Sequence, residues 1–186
     1  MAMKYFDKKL HLSKELEMDI WREANMGESY GTSRYGLAFS ALTRGFGANI
    51  FANVIGAGFV SKIEPIIGKV DYDSLALFLN ERRKRCVKLG AKEEKIERIT
   101  DGILRRVLSL GHVPVVLSNS EFFDAEDLPH WIVVCGIDVN RFYVNNPLDK
   151  VGPSSLPLNL LSMAIGYKGD HCMVTVSKHT YKSQKT

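Results

Sequence analysis

The chain has 186 residues, enough for one well-buried core and short for two domains. Its 45% hydrophobic and 25% charged residues match an ordinary globular domain, which argues against a disordered or fibrous chain. The net charge of +4 is mild, and no aromatic-interleaved basic stripe accompanies it, so nucleic acid is not an expected partner.

In chain order, "MAMKYF" has helical character but starts abruptly. "SKELEMDIWREANM" follows, with Ser13 as N-cap and Leu16, Ile20 and Trp21 near helical spacing. A glycine-bearing turn, "GESYGTSR", leads into "YGLAFSALTRG", a small-residue helix closed by Gly45, and then into a strand, "ANIFANV". "DYDSLALFLNERRKRCVKLG" reads as a long amphipathic helix capped by Asp71 or Asp73 and stopped at Gly90, its "ERRKR" run being a solvated face. "EKIERI" reads as a short edge strand, and Thr100 caps "DGILRRVLSL", which ends at Gly111.

From there the pattern changes to β-branched and aromatic runs bounded by turn residues: "VPVVLSN", "HWIVVCGID" and "RFYVNN". "WIVVCGI" is apolar on both faces, which predicts a central strand. A short helix, "PLNLLSMA", and a last strand, "CMVTVSK", close the pattern. Helices first and clustered strands later indicate an α+β domain, here residues 1–177, with residues 178–186 as a polar tail.

The three cysteines, Cys86, Cys135 and Cys172, are odd in number, widely spaced and form no CxxC pair. That argues against a disulfide framework and a structural zinc site and fits a reducing cytoplasm. His11, His112, His171 and His179 are scattered without metal-ligand spacing, and no cofactor is expected. No apolar run approaches the roughly 18 residues of a membrane span, and the N-terminus lacks a signal-peptide layout.

The informative stretch is "LPHWIVVCGIDVNRFYVNNP", residues 128–147. If its two apolar runs pair antiparallel across a turn at 138–140, His130 lies opposite residue 148, and Asn146 is its diagonal neighbour on the same face. Such neighbours are roughly 7–8 Å apart at Cα, within reach of an imidazole and a carboxamide. A turn slipped by one residue would put them on opposite faces. A base histidine must be held in one tautomer and rotamer, and an asparagine accepting its ring N–H does this in papain-like sites. A strand start after a proline and an Asn-Asn-Pro turn would account for the same residues without any site.

"PHWIVVCGID" followed by "FYVNNP" resembles the histidine and orienting-residue segments of the bacteriocin-processing, papain-like cysteine peptidases that remove double-glycine leaders. "DIWREAN", "YGLAFSALTRGF" and "LSLGHVPVVLS" extend the resemblance over most of residues 15–177. It implies a papain-like fold, an antiparallel sheet packed against helices, and a peptide or protein as substrate or ligand. It also implies His130 as general base and Asn146 as orienter, where the family more often has aspartate.

The resemblance also implies a nucleophile in Cys-Gly-Pro-Ala at the start of a helix, preceded by a glutamine. A helix N-terminus lowers a thiol's pKa. The chain has no such motif, and "MAMKYF" resembles the part of that helix just after it. The expectation is therefore a peptidase-like chain that is N-terminally truncated or inactive. Its alternative is a non-catalytic peptide-binding or interaction domain. With an unfilled helix start, Met1, Met3 and Phe6 are expected to be poorly covered. None of the cysteines substitutes: Cys135 reads as strand core on the face opposite His130, Cys86 as packing or surface on a helix, and Cys172 as core or edge packing. Thr32 or Ser33 reads as a helix cap.

Overall fold

A computed structural model describes residues 1–26, 31–61, 71–123, 125–149 and 152–178. Its helices are α1 (Ala2–Phe6), α2 (Lys14–Ala24), α3 (Arg34–Thr43), α4 (Tyr72–Lys88), α5 (Asp101–Ser109) and α6 (Leu161–Ala164). Its strands are β1 (Phe46–Ala52), β2 (Glu93–Lys95), β3 (Val113–Asn119), β4 (Pro129–Ile137), β5 (Arg141–Asn145), β6 (Ser154–Pro157) and β7 (Cys172–Lys178).

The helix ends follow from local chemistry. Ser13 Oγ accepts from the Leu16 amide and opens α2, Ser33 Oγ accepts from Gly36 and opens α3, and Thr100 Oγ1 accepts from Ile103 and opens α5. Asp71 accepts from Asp73 and Ser74 at the start of α4. Each satisfies an N–H that the first helical turn leaves without a partner. At the other ends Gly45, Gly90 and Gly111 have φ of 78°, 96° and 73°, the left-handed conformation that ends a helix and that glycine adopts without strain.

The strands form one sheet in the order β2-β1-β7-β3-β4-β5-β6. The pairing of β1 with β2 is parallel, which departs from the expected all-antiparallel sheet; the other pairings are antiparallel. "WIVVCGI" does lie inside the sheet, between β3 and β5. Apolar residues cover both faces, as the two-sided apolar run of "WIVVCGI" implied. Ile50, Leu117, Val133 and Val174 pack with Tyr35, Ala38, Leu75 and Leu79 of α3 and α4. Val116, Ile132, Val134 and Met173 pack with Leu104 and Val107 of α5 and Leu161 of α6. Consecutive strand residues thus serve opposite cores, which explains the unbroken apolar runs of β3, β4 and β7.

α1 lies against β7 and β3. Met1 is 47% exposed, as expected, but Met3 is 9% exposed and buried in the core, and Phe6 packs against it, so the expectation of poor cover fails for these two. No side chain caps α1. The turn expected at "GESYGTSR" falls partly, and the tail almost wholly, outside the described residues; Lys178 ends β7. Among the described residues no helix is long and apolar enough to cross a membrane.

α3 sits at the centre of the helical side, touching α2, α4, β1 and β7. Its closeness to α2 depends on Gly36, where an added Cβ would stand 2.3 Å from Ala24 Cα and 2.8 Å from the carbonyl oxygens of Ala24 and Glu23. Those are backbone atoms, so relief requires moving a helix. Gly36→Ala should therefore destabilise the domain by about 1–3 kcal/mol, despite a helix-propensity gain of up to about 1 kcal/mol. The check is the urea midpoint at unchanged m-value; a variant as stable as the parent would contradict this helix contact.

Candidate active-site cleft

The β4–β5 hairpin brings His130 and Asn146 together by an indirect route. At the turn, Ile137 pairs with Phe142 and Gly136 with Tyr143, a register slipped by one from the simplest expectation. Val134 pairs with Val144 and Val133 with Asn145, so a β-bulge at Cys135 absorbs the extra residue and restores the expected register toward the open end. Extended by one position, that register sets Asn146 opposite Ile132 and so diagonal to His130 on the same face. His130 Nε2 lies 2.7 Å from Asn146 Oδ1. The bulge also aligns Ile137 with Ile132 and Val134, whose core it joins, and turns Cys135 outward. Reading Cys135 as strand core from parity was therefore wrong.

Neighbouring bonds hold both members. His130 pairs in register with Ser118, whose buried hydroxyl donates to the His130 carbonyl at 3.0 Å. Trp131 Nε1 donates to the Thr32 carbonyl at 2.9 Å, tying the segment before α3 to the strand that carries His130. Asn146, 4% exposed, accepts at Oδ1 from the Leu148 amide at 3.1 Å and donates from Nδ2 to Asp149 Oδ1 at 3.0 Å. His130 is half-buried.

The pair lines a cleft of about 1050 Å³, walled by Leu16 and Ile20 of α2, Leu37 and Ala41 of α3, and Leu117 and Val174 of the sheet. Arg34 and Asp170 also line it, each 1% exposed and joined as an ion pair at 2.5 Å. Arg34 donates as well to the Val54 carbonyl at 3.1 Å and stacks 4.1 Å above the Phe59 ring. A buried charge is tolerated where it is paired and hydrogen-bonded in this way. Sequence reading missed Arg34, Asp170, Trp131 and Asp149. The one available signal was an arginine opening the otherwise small and apolar "YGLAFSALT".

No cysteine lines this cleft. Cys86 is fully buried on α4, donates to the Tyr35 carbonyl, and burial pushes its thiol up to about 11. Cys172 is fully buried in β7 and burial pushes it up to about 12. Cys135 lines a separate cavity of about 520 Å³ with His112 and Arg105, and its thiol too is raised by desolvation. Ser33 caps α3, as expected, and the Thr32 carbonyl is engaged by Trp131. His179 lies outside the described residues. Among the described residues no group of three or more His, Cys, Asp or Glu could hold a metal ion.

No thiol is thus activated at the cleft, while a histidine with an amide partner stands at the edge of a large, mainly apolar cleft. A family model described as "Peptidase_C39 like family" matches residues 1–185. The chain belongs to that family and is a peptidase-like domain. No curated protein and no solved structure matches it.

Thiol reactivity reads this description directly. In the native chain only Cys135 should react with iodoacetamide, slowly near pH 7 and faster as pH rises, because the thiolate is the nucleophile and its pKa is raised. Cys86 and Cys172 should react only after unfolding. Fast labelling of any cysteine at neutral pH, lost in His130→Ala, would contradict the assignment.

Proposed function

We propose that the cleft binds an extended peptide, and that His130 and Asn146 are the base and orienter of a papain-like thiol-peptidase site. This 186-residue chain does not itself turn over substrate. The reading rests above all on the 2.7 Å contact of His130 with Asn146 at the rim of the cleft. An amide oxygen that accepts the ring N–H holds the imidazole in one orientation, leaving the other nitrogen to take a proton from a thiol. The cleft volume, about 1050 Å³, lies just above the usual range for small-molecule pockets, roughly 300–1,000 Å³, which suits several residues of peptide better than one metabolite.

Turnover is denied on chemical grounds. Loss of a triad nucleophile costs several orders of magnitude in rate, and no cysteine of this chain lines the cleft. Binding without cleavage is therefore the activity assigned to residues 1–177, which we take as one papain-like domain acting in a reducing, cytoplasmic setting.

The test is selection of random dodecapeptides on the immobilised chain, followed by titration of enriched peptides and mass spectrometry after long incubation under reducing conditions. Enriched peptides should bind saturably, lose affinity at least tenfold to Trp21→Glu, which charges an exposed wall of the cleft, and remain uncut. Absence of enrichment, or binding indifferent to Trp21→Glu, would refute the binding role. Cleavage abolished by replacing one cysteine would refute the inactive state.

A further inference from the structure

We propose that Asp149 is a positioning residue that fixes the tautomer of His130 by acting through Asn146. The argument rests on which neighbours of the Asn146 carboxamide have only one possible polarity. The Leu148 amide, 3.1 Å from Oδ1, can only donate. An ionised carboxylate, here Asp149 Oδ1 at 3.0 Å from Nδ2, can only accept. Reversing the amide would set donor against donor at Leu148 and acceptor against acceptor at Asp149. The oxygen is therefore held toward His130, 2.7 Å from Nε2.

An imidazole nitrogen facing an oxygen that cannot donate must itself carry the proton. Neutral His130 is then the Nε2–H tautomer, and Nδ1 holds the lone pair. Leu148 alone fixes one side of the amide; Asp149 supplies the opposing polarity on the other, and both come from the turn closed by the Asp149 amide on the Asn146 carbonyl at 3.1 Å. Pro147 between them has no N–H to compete for Oδ1. Asp149 is exposed, so replacing it removes little packing.

What this tautomer is for rests on the reading of His130 as a base, since only a free Nδ1 could accept a thiol proton there. The geometric assignment can be tested without any activity. The measurement is long-range 1H–15N correlation of the His130 ring in the full chain at roughly pH 8.5, about two units above the ordinary histidine value. The parent should show one tautomer with Nε2 protonated, and Asp149→Asn, which retains an acceptor oxygen, should show the same. Asp149→Ala should reveal a measurable Nδ1–H population, and Asp149→Lys, which puts a donor against Nδ2, a larger one. Amide spectra report that each variant is folded; if Asp149→Ala is not, the contrast of Asn with Lys carries the result.

The proposal is overturned if the parent carries its proton on Nδ1, or if Ala and Lys both retain the parent tautomer. Loss of the tautomer in Asp149→Asn would overturn it as well, since charge and not acceptor polarity would then be responsible. Peptide selection can fail while these spectra hold, and the reverse, so the two readings fail separately.

Discussion

The arrangement of the cleft depends on a single irregularity in one β-ladder. Side chains alternate faces along a strand, so a one-residue slip moves every later residue to the other side. The β4–β5 turn is slipped in this way, and the bulge at Cys135 corrects it before the strands reach His130 and Asn146. The same bulge lets Ile137 enter the core with Ile132 and Val134. Core packing and site geometry are thus met by one extra residue. Burial of side chains such as Val134, Phe142 and Val144 stabilises by about 1.5–3 kcal/mol each. A hydrogen bond such as His130–Asn146 contributes only about 0.5–1.5 kcal/mol net. Packing therefore sets the register, and the polar pair follows from it.

A second constraint closes the cleft from the opposite side. Arg34 starts α3, and its partners Asp170 and Val54 lie in the segments before β7 and after β1. Removing one partner of a buried ion pair typically costs about 3–5 kcal/mol, because a charge is left without compensation. The pair therefore ties α3 to the segments at the sheet end and fixes part of the cleft lining. Trp131 reinforces this by gripping the Thr32 carbonyl two residues before Arg34. The cleft is braced by groups far apart in sequence, with the hydrogen-bonded His130–Asn146 pair on the sheet and much of its apolar wall on helices.

What the sequence revealed follows the range of the interactions involved. The caps at Ser13, Asp71 and Thr100 and the stops at Gly90 and Gly111 act within a few residues and were legible. The His130–Asn146 contact was legible too, because the hairpin is local and its open end has the simple register. The bulge was not, since it answers to Ile137 packing against α5 and its neighbours. Helices on both faces were missed, although the unbroken apolar run of β4 was a sign of them. β6, "SSLP", has no strand pattern; Arg141 holds it across the ladder through the Ser155 hydroxyl and carbonyl. Arg34 and Asp170 are 136 residues apart, and no local signal pairs them.

The central claim is that His130 and Asn146 form a real hydrogen-bonded pair and not two polar residues that happen to end adjacent strands. An imidazole N–H is seen in the downfield proton spectrum only when a hydrogen bond and burial slow its exchange with water. The most direct measurement is that spectrum for the parent, His130→Ala and Asn146→Ala. The account predicts one Nε2–H resonance, with an Overhauser contact to the Asn146 side chain, that disappears in both variants while the fold persists. A parent without that resonance, or a resonance that survives unshifted in Asn146→Ala, would contradict it.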